Sequence, residues 1–149
     1  MNLEDNKRLV AEYPFLAVYD IANKSEIDYC FTMLDEMPPG WKEAFGEEIC
    51  KEIKDVLVEH DCLNEYSVIQ IKEKFGMLRW YGNRTSREIE QIIAKYEEKS
   101  GHTCICCGAP ATQMILNWIT PICDECLDYT ISKTPTKPID EYWNELNEE

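Results

Sequence analysis

Between residues 41 and 59 the apolar side chains Trp41, Phe45, Ile49, Ile53, Val56 and Leu57 return every three or four positions, and charged residues fill the gaps. That spacing draws a single stripe on a helix of about 3.6 residues per turn, so it predicts a helix over about 41–59 packed on a core. After Asp61-Cys62-Leu63-Asn64 the period changes to two. Tyr66, Val68, Gln70, Lys72 and Lys74 then share one face of an extended segment, and Ser67, Ile69, Ile71, Glu73 and Phe75 share the other. Gly76 permits a tight turn, and residues 77–81 return toward Gly82-Asn83, which predicts a β-hairpin over about 66–82. Helical spacing resumes at Ile89, Ile92, Ile93 and Tyr96, behind a Thr85/Glu88 capping-box pattern and ahead of Gly101, predicting a helix over about 86–99.

The remaining segments carry weaker patterns. Leu9, Val10, Tyr13 and Phe15 suggest a short amphipathic start limited by Pro14, and residues 25–36 read equally as strand or helix. Pro38-Pro39-Gly40 is a firm break. Residues 112–116 and 119–122 flank Asn117-Trp118 as a short hairpin would. Cys123 opens a helix expected to continue through Leu127 and Ile131, and residues 138–143 predict one more short helix. The fold class that follows is α+β, with amphipathic helices packed on a small antiparallel hairpin and a zinc-ribbon-like segment closing the chain. Two parts are expected: an α+β domain over 1–103, and a zinc-ribbon-like segment with an acidic helical tail over 104–149.

Eight cysteines change the picture, because four of them form two identical pairs, Cys104-x-x-Cys107 and Cys123-x-x-Cys126, with fifteen residues between. A C-x-x-C turn brings two thiolates to one ion, and two such turns complete a tetrahedron of sulfurs at about 2.3 Å. Four sulfurs close the shell and leave no position for water or substrate, so the zinc expected here is structural. An iron–sulfur cluster is the alternative occupant of the same thiolates. Cys106 is a competing ligand next to the first pair, and His102 is another, with a poorer spacing. Cys30, Cys50, Cys62 and Cys106 have no comparable pairing and otherwise read as buried thiols.

The formal net charge is −14, which argues against direct nucleic-acid binding driven by phosphate neutralisation. Its distribution is uneven. Residues 1–60 carry 14 acids against 6 bases, residues 61–103 carry 7 against 7, and residues 104–149 carry 8 against 2. The cations therefore gather on the predicted hairpin, where Lys72, Lys74, Arg79 and Tyr81 form a candidate ligand-binding group for a small anion such as a nucleotide. Their plain alternative is the solvated face of a two-stranded sheet. Neither His60 nor His102 belongs to a catalytic array, and the chain has no G-x-S-x-G, Walker or GxGxxG motif. No apolar run approaches the ~18–20 residues of a membrane span, and the first residues lack the pattern of a secretory signal, so a reduced cytosolic setting is expected.

Several strings together, Gly40-Trp41, Lys72-Glu73-Lys74-Phe75-Gly76, Leu78-Arg79-Trp80-Tyr81, Glu97-Glu98-Lys99-Ser100, Cys104, Cys107-Gly108 and Cys123-Asp124-Glu125-Cys126, carry a resemblance. The chain is similar over roughly residues 40–126 to a family of small, largely uncharacterised proteins of phage and prophage genomes. Met77 departs from that family's pattern, which has a second glycine after the one matched by Gly76. The resemblance implies an accessory protein in the host cytosol that acts on host machinery or host defence by binding. The function expected is thus non-enzymatic binding of a host factor or small anionic ligand. A metal-dependent enzyme acting on nucleic acid or nucleotides is the alternative, and a scaffold component of a larger complex is another.

Overall fold

A computed structural model describes residues 3–127 and 134–148. The long helix starts two residues before the predicted position, because Pro39 occupies its first turn, where a missing N–H breaks no bond. It runs as α2 (Pro39–Trp41), a π-helical turn over Lys42–Gly46, and α3 (Glu47–Glu59). The Pro38-Pro39-Gly40 break is therefore the start of the helix itself. Trp41, Phe45, Ile49, Ile53 and Leu57 are buried along its length. Against them pack Leu9 of α1 (Leu3–Glu12), then Tyr13, Phe15 and Leu16, and from the other side Ile89 and Tyr96 of α4 (Arg87–Ser100).

The ambiguous stretch 25–36 divides. Strand β2 (Ile27–Asp28) pairs antiparallel with β1 (Val18–Tyr19), and Met33–Glu36 forms a 3₁₀ turn. Thr32 caps that turn: its hydroxyl accepts from the Leu34 N–H, and the Asp35 carboxylate accepts from the Thr32 N–H.

The hairpin consists of β3 (Val68–Lys74) and β4 (Met77–Gly82), and the alternation differs from the expected one. Val68 faces Gly82 and Gln70 faces Tyr81, so Ile69 is an extra, bulged residue. The bulge reverses the faces. Val68 and Ile71 are buried with Leu78 and Trp80, while Ile69 lies exposed. Lys74 pairs with Met77, leaving a loop of only Phe75 and Gly76 at φ +53° and +81°. Two positive φ values mark a type I′ turn, so Phe75 sits in the turn and shares no face with Ile71.

Helix α4 is capped by Ser86, whose Oγ accepts from the Ile89 N–H; Thr85 does not serve as the cap. It stops at Gly101 with φ −65°, an ordinary right-handed value. The glycine there provides room, since a Cβ would lie 2.8 Å from Cζ2 of Trp143. Beyond it, β5 (Gln113–Ile115) and β6 (Thr120–Ile122) form the expected short hairpin. A strand the pattern did not reveal, β7 (Thr136–Pro138), pairs with the other edge of β5 and gives the order β6-β5-β7. Helix α5 (Asp124–Leu127) follows Cys123, and Ile131, expected in the same helix, lies outside the described residues. Helix α6 (Ile139–Asn147) ends the fold, with the Trp143 indole N–H donated to the Gly101 carbonyl at 2.9 Å. Among the described residues no helix is long and apolar enough to cross a membrane.

Candidate metal centre

Cys104 and Cys107 sit on the turn that follows α4. Gly108 closes it at φ +84°, its N–H donated to the Cys104 carbonyl at 3.0 Å, while the Cys104 N–H reaches Ala109 O at 2.7 Å. Cys123 leaves β6 and Cys126 lies on α5, whose Cys126 N–H points at the Cys123 sulfur, 3.4 Å away. The β5–β6 hairpin returns the chain so that the second pair meets the first. The four Sγ atoms lie within 4.8 Å of one another, with Cys107 and Cys123 at 3.6 Å.

Sulfurs tetrahedrally placed at about 2.3 Å from one ion stand roughly 3.8 Å apart, so this cage fits a single metal ion. A four-iron cluster inserts iron and sulfide between its thiolates and needs them farther apart. The electrostatics agree. Burial opposes ionisation of Cys104, yet the N–H groups of Cys107, Cys123 and Cys106 outweigh it and bring the thiol to about 7. Cys126 is pushed up by the neighbouring sulfurs of Cys123 and Cys107, a crowding that a cation relieves. Cys106 is exposed, as is Cys30, where buried thiols were expected; Cys106 lies outside the cluster, and His102 is turned toward Asp140, 4.0 Å from its carboxylate. Neither takes the place of one of the four.

The cage is fastened to the long helix. The Gly40 N–H is donated to Ile105 O at 2.8 Å and the Trp41 indole N–H to Thr103 O at 3.0 Å. A Cβ at Gly40 would stand 2.6 Å from the carbonyl carbon of Ile105, so only glycine permits this approach.

The second group has a different arrangement. Lys72, Lys74, Arg79 and Tyr81 fall on one face of the β3–β4 hairpin, with Lys72 directly opposite Arg79. The Lys72 ammonium lies 5.8 Å from the centre of the Tyr81 ring. Arg79 is engaged, 3.6 Å from Glu97 and donating to Leu78 O at 3.0 Å. Two of the four border different cavities. Lys74 borders a cleft of about 330 Å³ together with Phe75, Asn117 and Trp118, whereas Tyr81 borders another of about 380 Å³ with Arg84 and Glu97. Phe75 and Trp118, at 71% and 75% exposure, were not among the expected site residues. A two-residue loop closed by Gly76, and the Asn117-Trp118 turn centre, are the signals that would have placed both rings at hairpin tips.

A further group unites Glu59 and His60 at the end of α3 with Glu88 of α4, all exposed, with donor atoms within 4.8 Å. His60 Nε2 stands 2.9 Å from Glu88 Oε1, across 28 residues of sequence, which is why no local array announced it. His60 also borders an apolar cavity of about 280 Å³ lined by Val56, Leu57 and Ile89.

Fold and site together define an α+β protein with a closed four-cysteine cage in a zinc-ribbon-like segment. No family model, no curated protein and no solved structure matches the chain.

Proposed function

We propose that this chain is a non-enzymatic binding protein of phage type, working in the host cytosol, in which a structural zinc on Cys104, Cys107, Cys123 and Cys126 holds a cation-bearing hairpin for a small anionic ligand. The observation that carries this reading is the gathering of Lys72, Lys74 and Arg79 on one hairpin face of a chain whose net charge is −14. An anion approaching so acidic a molecule finds favourable potential there. The zinc has no catalytic position to offer, because its four sulfurs complete the shell.

Metal analysis of the purified chain is expected to give one zinc per molecule, with Cys104→Ser and Cys123→Ser each lowering the melting temperature of the whole chain. A metal-free chain with unchanged melting would sink the structural zinc. A thermal-shift panel of nucleotides and other small anions tests the ligand. Silence across the panel, with capture of a basic host protein that is lost when the acidic flanks are neutralised, would replace the anion by a host factor.

A second reading rests on Glu59, His60 and Glu88, whose three donors beside an apolar cavity suit a loosely held divalent ion of a metal-dependent enzyme acting on nucleotides. Hydrolytic turnover with Mn²⁺ that His60→Ala abolishes would favour it over simple binding.

A further inference from the structure

We propose that the cleft between the tips of the β3–β4 and β5–β6 hairpins binds a ribonucleotide, with the base against Trp118 and the phosphate on Lys74. This rests on the small-anion reading above and moves the binding centre from the strand face to the tips.

Four observations meet in the cleft. Its volume, about 330 Å³, lies in the range of small-ligand sites. Its lips carry the two exposed rings, Phe75 and Trp118, and every nucleobase offers a π-face to such rings. The Lys74 ammonium borders the same space and stands 5.9 Å from the centre of the Phe75 ring, so a cation and an aromatic face are already adjacent. Asn117 supplies an amide that can donate and accept along a base edge. Glu73 also lines the cleft, with one oxygen held by the Gly76 N–H at 2.8 Å, and its carboxylate suits a ribose hydroxyl or an exocyclic amine.

The backbone supports the same conclusion. Phe75 holds φ +53°, a left-handed conformation in which a bulky aromatic is a true outlier, and such outliers concentrate at ligand sites. Phe75 gains little burial in return, at 71% exposure. The two tips are also fixed relative to each other. Gly76 rests on Ile119 and Met114 so closely that a Cβ would lie 3.0 Å from Ile119 Cγ2, and β6 leads directly into the metal cage at Cys123.

Charge selects the occupant. On the hairpin Lys72 and Lys74 are the cations without an ion pair among the described residues, since Arg79 lies 3.6 Å from Glu97 and Arg84 3.3 Å from Glu65; Glu73 is the one carboxylate lining the cleft, while both flanks of the chain are acidic. A basic protein would be drawn to the flanks, and a second copy at −14 would be repelled. An anion with an aromatic body matches the cations and the rings together.

The test uses the full, metal-loaded chain, titrated with AMP, GMP, CMP and UMP, and separately with adenosine and with inorganic phosphate. Calorimetry and the indole N–H resonances are the readouts. At least one mononucleotide is expected to bind at millimolar concentration or tighter, shifting an indole signal that disappears in Trp118→Ala. Adenosine and phosphate alone should bind at least about tenfold more weakly, since each engages half of the site. Trp118→Ala and Phe75→Asn should each weaken binding about tenfold to hundredfold, and Lys74→Ala about tenfold. Both aromatic positions are exposed, so melting temperature verifies that these variants fold. Undiminished binding in Trp118→Ala and Phe75→Asn, with loss in Lys72→Ala and Tyr81→Ala, overturns the cleft and leaves the strand face standing. No response to any mononucleotide or to phosphate overturns both, and capture of a protein through Trp118 without a nucleotide response overturns the cleft as well.

Discussion

Phe75 is held against its own preference. An L-residue in the left-handed region carries a cost of roughly 1–2 kcal/mol, and asparagine, the usual partner of glycine in a type I′ turn, carries much less of it. Because the Phe75 ring is 71% exposed, Phe75→Asn sacrifices little burial and should stabilise the chain by about 1 kcal/mol. The measurement is a higher urea midpoint with an unchanged slope, and a lower midpoint would mean the ring packs more than its exposure allows. Gly40 presents the opposite case. A methyl group there meets the Ile105 backbone at 2.6 Å, and backbone cannot swing aside as a side chain does, so Gly40→Ala should cost about 3 kcal/mol. Retention of the wild-type midpoint in that variant would show that the cysteine turn floats on the helix instead of being docked.

Among the elements, the 3₁₀ turn at Met33–Glu36 ties stability to pH. Burial pushes the Asp35 carboxyl up, but the Lys42 ammonium and the Thr32 N–H outweigh it and hold the pKa below the ordinary carboxylate value. A carboxyl depressed by folding stabilises the native state above its unfolded pKa, and that contribution fades as pH falls through the folded one. The stability gap between wild type and Asp35→Asn should therefore be widest near neutrality and shrink below about pH 4; a gap that is flat with pH would remove Asp35 from this role. Elements of this kind were legible to different degrees. The stripe from Trp41 to Leu57 and the paired cysteines could be read directly, because helical period and C-x-x-C chelation are local properties of the chain. The bulge at Ile69 could not, since it exists only relative to Gly82 and Tyr81 on the partner strand. Strand β7 is three residues with no alternation, and its pairing with β5 reaches back more than twenty positions. Ser86 and Thr85 are adjacent hydroxyl residues, and only the backbone turn decided which one caps α4. At the candidate site, Lys72 and Arg79 were visible as charges, but the ion pair that occupies Arg79 depends on how α4 lies across the hairpin.

At the scale of the whole molecule the metal cage and the core form one mechanical system. Trp41 is fully buried among Phe45, Ile49 and Tyr96, and its indole N–H ends on Thr103 O, one residue before the first cysteine. Without an ion, four crowded thiolates would repel one another or take up protons, so the turn at Cys104–Cys107 would lose the geometry that Gly40 and Trp41 need. The apo chain should then unfold in a single transition at a lower temperature, and the near-ultraviolet signal of buried tryptophan should disappear together with the C-terminal sheet. Protons compete with the ion for thiolates, so a fixed chelator concentration should strip the metal more completely as pH falls. Calorimetry of the chelated protein decides the matter. Two separate transitions, the first confined to the three-stranded sheet and the second at the wild-type temperature, would show that the segment from Cys104 onward is an independent appendage. One lowered transition instead makes the ion a support of the Trp41 core and, through Ile119 beneath Gly76, of the tip that displays Phe75.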